Sequence, residues 1–349
     1  MPPLTVPKQA LASLPAFVGG KREVAPAIFR AVAQAGFPPG RGHTLADAFL
    51  GGGSVSLLGK LLGYRVAAND VALRSQVVAE ALLLNDRVRF DEADLVRALE
   101  RAGSKDAWIT VPVRDWPFPE RAREVFTGLV AAAEGFANPT KAALLRLIVF
   151  KTIMRMAPRS QVNVSSTTSK RVREERWDDL SEYDRRQNVA RLTQPTRFLV
   201  EATRQVNAGV FPGQAEFHRG DALAWLAGRD ADVLYLDPPY PGTTHYERHF
   251  LPVDMLLENR VFEMPRRSRF SDPDGWRNVG ELLDAGAAAR LWVLSVSSSS
   301  VDVEDVMGLV EDRGRRAEVY AQAHEHFRGL GQTERARTNQ ELIIVAKAT

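Results

Sequence analysis

The 349-residue chain contains no cysteine. That excludes disulfides, cysteine-ligated zinc, iron–sulfur clusters and thiol nucleophiles. Histidine is scarce: the six are scattered, with no pair at metal-binding spacing, so no metal site is expected. No Ser-His-Asp arrangement stands out. No apolar run approaches the roughly 20 residues that a membrane helix needs. Met1 to Phe17 carries one lysine and several prolines rather than a charged head and an apolar core. A signal peptide is therefore not expected, and the expected location is the cytoplasm. Strong charge of one sign is missing as well. The net charge is +3 and the pI about 9.2, which permits a polyanionic partner without demanding one.

What remains is the composition of an ordinary globular protein, 45% hydrophobic and 26% charged. The length suits one large domain or two smaller ones.

The most informative stretch is Asp237-Pro238-Pro239-Tyr240. It follows Val233-Leu234-Tyr235-Leu236, which reads as a buried parallel strand. The tetrapeptide thus falls at a strand's carboxyl end, where open α/β sheets bind ligands. Paired prolines stiffen the loop and leave the Pro238 carbonyl without a ladder partner. Asp237 and that carbonyl are two acceptors, suited to the two N–H bonds of a planar amine. Tyr240 supplies a face on which the ring can stack. A plain Pro-rich turn is the competing reading, so the rest of the chain must decide.

Gly19-Gly20-Lys21 leads into an expected helix from Glu23 to Ala35, a turn that can gather backbone N–H groups around an anion. Thr44 to Leu50 reads as a strand, Gly51-Gly52-Gly53 as a loop and Ser54 to Leu62 as a helix. This is the first turn of a nucleotide-binding α/β unit, without the spacing of a dinucleotide fingerprint or a P-loop. Arg65 to Ala68 reads as the next strand. Asp70 follows it, placed either to take ribose hydroxyls or to cap the helix expected from Leu73 to Leu84.

The βα alternation then stops, and helices are expected until about Asn207. Within them, Arg155 to Arg191 mixes basic residues with Asn, Gln, Ser and Thr. Such a mixture can hold phosphates and reach base edges, and Arg159, Asn163, Ser165, Lys170, Arg171 and Arg173 are the candidate contacts. The interspersed acids also allow an ion-paired solvated face. Ala215 to His218 reads as a strand, and Asp221 after it as a cap or an acceptor for an adenine amine. Pro241 to Tyr246 reads as a polar flap, Val253 to Leu257 as a short helix, and Leu291 to Val296 and Glu341 to Val345 as strands.

The order of these motifs resembles the Dam-like class of DNA adenine-N6 methyltransferases. Phe17 to Lys21 resembles that family's N-terminal S-adenosylmethionine motif, with Gly20 and Lys21 as site residues. Asp47 to Ser54 resembles its main cofactor loop, which brings in Asp47, Phe49, Gly51, Gly52, Gly53 and Ser54. Asp70 matches the ribose acid, Asp221 the acid near the cofactor adenine, and Asp237, Pro238, Pro239 and Tyr240 the catalytic motif. Two departures stand out: Ala48 where proline is frequent, and Asn163-Val164-Ser165-Ser166 in place of a Phe-Asn-x-Pro stretch.

The resemblance implies a Rossmann-like methyltransferase sheet of the α/β class. Residues 1–74 and 200–349 would form the catalytic domain, and 75–199 an inserted helical DNA-recognition subdomain. It implies methyl transfer from S-adenosylmethionine to adenine in double-stranded DNA, with a restriction or defence component as a possible companion. Cytosine-N4 methylation, RNA methylation and a non-catalytic DNA-binding module are the alternatives.

Overall fold

The computed structural model describes residues 8–17, 19–103, 116, 118–157, 167–182, 185, 189, 192–239, 246–263, 268–272, 275–298, 302–323 and 340–348. Its strands are β1 (Thr44–Asp47), β2 (Arg65–Asp70), β3 (Ala215–Arg219), β4 (Val233–Leu236), β5 (Leu291–Ser297), β6 (Arg315–Ala323) and β7 (Gln340–Ala348). They form one sheet in the order β3-β2-β1-β4-β5-β7-β6. β1 to β5 run parallel, and β7 is antiparallel to both β5 and β6.

Every residue of β4 and β5 is buried. A strand covered on both faces has no solvent side, so its sequence is a continuous apolar run. Alternation still assigns each side chain to a face. Leu45, Val66, Val233, Tyr235, Val293 and Val345 join one core. Ala46, Leu234, Leu236, Trp292, Leu294 and Ile344 join another.

The first core is roofed by α1 (Ala25–Gln34), α2 (Ser54–Leu61) and the helices between β2 and β3, chiefly α3 (Leu73–Val78), α4 (Pro139–Met156) and α5 (Pro195–Asn207). Asn138 starts α4, its side-chain oxygen accepting from the Thr140 and Lys141 N–H groups at 2.9 and 3.3 Å. Buried residues then run around α4 from Ala142 to Met156, as expected of a helix enclosed on all sides. The second core is roofed by α6 (Ala222–Leu226), α7 (Gly275–Ala285) and α8 (Val303–Glu311).

Strand order reverses between β1 and β4, since β2 and β3 lie to one side and β5 to the other. A crevice opens there at the carboxyl ends of the strands.

Some elements differ from expectation. β1 ends at Asp47, because the Asp47 carboxylate accepts the Phe49 N–H and folds the chain into the glycine loop. The helix expected from Leu73 to Leu84 becomes a π-helix over Ala79–Leu83. The short helix expected at Val253 begins at Tyr246 and runs to Leu257, with Pro252 inside it. Flap residues 241–245 lie outside the described residues. β6 was not anticipated; it pairs along the whole of β7 and closes the sheet.

Candidate active site

The floor of the crevice is made of strand ends tied together by side chains. Asn69, at the end of β2, donates from Nδ2 to the Ala48 carbonyl at 3.2 Å and the Gly220 carbonyl at 3.1 Å. Its Oδ1 lies 2.9 Å from His218 Nδ1 on β3. One buried amide thus holds three strand ends in register.

Asp47 closes β1 and is 1% exposed. Its Oδ2 accepts from Ser56 Oγ at 2.6 Å, and its Oδ1 accepts from the Phe49 N–H at 3.2 Å. Burial pushes its carboxyl up to about 7; the Ser56 and Phe49 bonds oppose the rise, and nearby Asp237 and Asp70 add to it.

The glycine loop has a reason at each position. Gly51 and Gly53 have φ of 53° and 81°, the left-handed region that only glycine enters freely. A Cβ on Gly52 would lie 2.9 Å from Phe17 Cβ, so glycine lets the N-terminal motif press onto the loop. Asp70 anchors the loop, with Oδ2 accepting from the Gly51 N–H at 2.7 Å and Oδ1 from the Ala72 N–H at 2.8 Å. Each of these oxygens has a second lone pair for a ligand hydroxyl. Asp221 is the N-cap of α6, accepting from the Ala224 N–H at 3.1 Å.

Asp237 follows β4 directly and sits beside the end of β1, because Asp47 pairs with Tyr235 in the sheet. Lys21, 4% exposed, places Nζ 3.0 Å from Asp237 Oδ1 and 3.3 Å from Glu341 Oε1. It also donates to the Gly19 carbonyl at 3.0 Å. Burial by itself would lower the lysine pKa. The Asp237 and Glu341 carboxylates outweigh it and hold the ammonium well above the ordinary lysine range. Tyr235, buried beneath, stays a neutral phenol: burial, with Asp237 adding to it, pushes its pKa well up.

An aromatic wall completes the site. Phe17 stacks on Phe250 with centroids 4.8 Å apart. The Arg74 guanidinium lies 4.5 Å from the Phe250 centroid and pairs with Asp254 at 2.5 Å. Phe49 meets Phe270 edge-on at 5.3 Å.

Together these groups surround a cavity of about 720 Å³, ample for a nucleoside-sized ligand. Gly20, Lys21, Asp47, Phe49, Gly51, Gly52, Ser54, Asp70, Asp221, Asp237, Pro238 and Pro239 all line it. Gly53 does not; a Cβ there would meet Val78 and Leu14 instead, so its role is the turn into α2. Tyr240, Arg159, Asn163 and Ser165 lie outside the described residues.

Lys170, Arg171 and Arg173 stand on a helix over Thr167–Arg173, away from the cavity wall. Lys170 lies 3.9 Å from Glu174, and Arg176 pairs with Glu174 and Asp179. Part of this segment is thus the ion-paired face that its acids suggested.

Sequence reasoning missed Glu341, Ser56, Tyr235 and the Arg74–Asp254 pair. Glu341 had a signal: it is a lone acid opening the apolar run of β7.

The residues fit S-adenosylmethionine. Unstrained glycine backbone, carboxylates with open lone pairs and an enclosed apolar wall match a nucleoside that also carries a charged tail. Fold and crevice therefore define a Rossmann-like S-adenosylmethionine-dependent methyltransferase. A family model described as D12 class N6 adenine-specific DNA methyltransferase matches residues 17–254, and the chain belongs to that family. It is an adenine-specific DNA methyltransferase with S-adenosylmethionine as methyl donor. It is similar to the type II methyltransferase M2.HphI of Haemophilus parahaemolyticus, 26% identical over 310 residues, with 87% of this chain and 90% of that protein covered. A solved rRNA methyltransferase, aviRa from Streptomyces viridochromogenes, aligns over 97% of this chain and 92% of its own, at 14% identity and a TM-score of 0.34. That likeness is too slight to add to the strand order itself.

Proposed function

We propose that the reaction is carried by Asp237 and the Pro238 carbonyl, acting on an adenine swung out of double-stranded DNA. The observation that supports this most is the Asp237 carboxylate, held by Lys21 at 3.0 Å on the wall of the cavity that Asp47 and Asp70 also line.

An adenine amine is a poor nucleophile because its lone pair is delocalised into the ring. Asp237 and the Pro238 carbonyl would accept its two N–H bonds and aim the lone pair out of the ring plane. Bound S-adenosylmethionine supplies an electrophilic methyl group on sulfur. The methyl would pass from sulfur to nitrogen, the sulfur leaving as a thioether with the electron pair of the broken S–C bond, and Asp237 would take up the proton that N6 sheds. The work is positioning and electrostatic stabilisation more than strong base catalysis. A base stacked within a duplex cannot enter an enclosed pocket, so flipping is required, with Tyr240 as the stacking face. Gly20, Lys21, Asp47, Phe49, the glycine loop with Ser54, Asp70 and Asp221 would hold the cofactor.

Residues 75–199 are read as the DNA-recognition insertion on a catalytic domain of 1–74 and 200–349. Lys170, Arg171 and Arg173 are its phosphate contacts; Arg159, Asn163 and Ser165, the other candidates read from the sequence, lie outside the described residues. The relative's description as a type II methyltransferase supports a companion restriction endonuclease. No described helix is long and apolar enough to cross a membrane, which is compatible with action on cytoplasmic DNA.

The test uses labelled S-adenosylmethionine and unmethylated double-stranded DNA, with the modified nucleoside identified by mass spectrometry. N6-methyladenine is expected from the parent enzyme and none from Asp237→Ala, with DNA binding retained. Continued transfer by Asp237→Ala would overturn the assignment.

A further inference from the structure

Glu341 is 0% exposed, yet it stands in a strand whose next five residues are all apolar and buried. Such a carboxylate is costly unless its charge is used. Its Oε1 accepts from Ser295 Oγ at 2.6 Å and lies 3.3 Å from Lys21 Nζ. Strand alternation sends Tyr235, Ser295 and Glu341 to the same face, under the start of α1. Lys21, Tyr235 and Asp237 line the cavity, whereas Glu341 sits behind them. Among the described contacts, Lys21 is the one that joins it to the cavity wall.

We propose that Glu341 is a positioning residue for methyl transfer, sharing Lys21 with Asp237 so that the lysine aims the Asp237 carboxylate without cancelling its charge. The inference rests on Asp237 being the N6 acceptor. An ammonium has three donors. Among the described residues, those of Lys21 face Asp237 Oδ1, Glu341 Oε1 and the Gly19 carbonyl.

A lone Lys21–Asp237 pair would be neutral, and its carboxylate would attract the amine hydrogens weakly. A second carboxylate on the same ammonium leaves one negative charge over the three side chains, and Asp237 is where it meets the cavity. Among the described groups facing this cluster, Tyr235 stays a neutral phenol, Ser295 is neutral, and burial pushes the Asp47 carboxyl up to about 7. A structural role alone would be served as well by glutamine, which can also accept from Ser295 and Lys21.

The test is single-turnover methyl transfer to unmethylated double-stranded DNA at saturating S-adenosylmethionine, measured across pH. Glu341→Gln is expected to slow transfer roughly 10- to 100-fold. Its acid limb, set by protonation of Asp237, should move to lower pH by about one unit. S-adenosylmethionine affinity should stay within about twofold, because Glu341 lies behind the cavity wall. Glu341→Asp keeps the charge, so its acid limb should stay near the parent position.

Ser295→Ala provides an independent arm if Glu341→Gln fails to fold. It removes a hydrogen bond from Glu341, strengthens that carboxylate's hold on Lys21 and should move the limb to higher pH. The proposal is overturned if the limb stays fixed in Glu341→Gln, or in Ser295→Ala where the glutamine variant does not fold, or if Glu341→Gln acts only through cofactor affinity. Transfer by Asp237→Ala would instead sink the underlying assignment of the acceptor.

Discussion

Asp232 and Asp237 flank the same four-residue strand and lead opposite lives. Asp232 lies at the amino end of β4. Its Oδ2 accepts from the Thr44 N–H at 2.8 Å and from Thr44 Oγ1 at 3.1 Å, and its Oδ1 accepts from Arg290 at 2.8 Å. Burial alone would raise its pKa, but the Thr44 and Arg290 bonds outweigh that and hold it below the usual carboxylate range. At the carboxyl end, Asp237 and Glu341 crowd around Lys21, and burial, with Asp237 and Asp70 adding to it, pushes Asp47 up to about 7. One end spends its acids on locking strands together. The other turns Asp47 and Asp237 toward a cavity, with Glu341 behind them. Where in the sheet an acid falls, rather than its type, decides whether it ties strands together or faces the cavity.

That contrast can be broken most sharply at Asp237. Asp237→Ala should lower methyl transfer by about 10²- to 10³-fold, the scale seen when a transition-state partner is removed. Thermal unfolding should shift little, since Glu341 still faces Lys21. A variant that lost stability and activity together would erase the distinction between the two ends.

Asp47→Asn tests the raised pKa itself. Asparagine can still accept from the Phe49 N–H and can donate to Ser56 Oγ, so the loop keeps its shape. In the parent, the unfolded chain ionises near pH 4 while the native carboxyl holds its proton to about 7. Over that window the unfolded state binds fewer protons, so native stability falls as pH rises and levels off above it. At its largest the penalty is about 4 kcal/mol. The variant should lose this slope and melt higher than the parent at pH 8, while binding S-adenosylmethionine more weakly. Melting curves at pH 5 and pH 8 read the first effect, and calorimetric titration the second.

Asp232→Ala should do the reverse. It leaves the Thr44 N–H without its acceptor and costs about 2 kcal/mol, with methyl transfer per folded molecule unchanged. Asp232 has a depressed pKa, so its contribution is present above the ordinary carboxylate range and is lost on acidification below it. Parent and variant should therefore converge in acid, which urea melts at pH 7 and pH 3 would reveal.

Most of the crevice could be read from the chain because its parts are local. A strand, a glycine run and a helix cap are contiguous, so Asp47, Gly51 to Gly53, Asp70 and Asp221 were legible with their backbones. β4 and Asp237 were legible for the same reason. The failures are long-range. Nothing near Glu341 says that β7 runs antiparallel beside β5 and lays this acid against Lys21, 320 positions earlier. Arg74 and Asp254, 180 residues apart, are invisible as a pair until α3 packs on the helix over Tyr246–Leu257. The edge strand β6, with its alternating Arg316, Glu318 and Tyr320, carries too little apolar pattern to stand out from a loop.

Asp221 belongs to both ends of the comparison and gives the smallest effect. It caps α6 through Ala224 and also lines the cavity. Removing a cap costs about 1 kcal/mol. Asp221→Ala should therefore lower the melting temperature slightly and weaken cofactor binding. Asp221→Ser separates the two roles, because a serine hydroxyl can still accept from the Ala224 N–H but carries no charge. If only the cap matters, serine restores both stability and S-adenosylmethionine affinity. If the carboxylate also accepts from the cofactor's adenine amine, serine restores stability alone. The second outcome is the one expected, since a charged acceptor binds an N–H roughly twice as strongly as a neutral one.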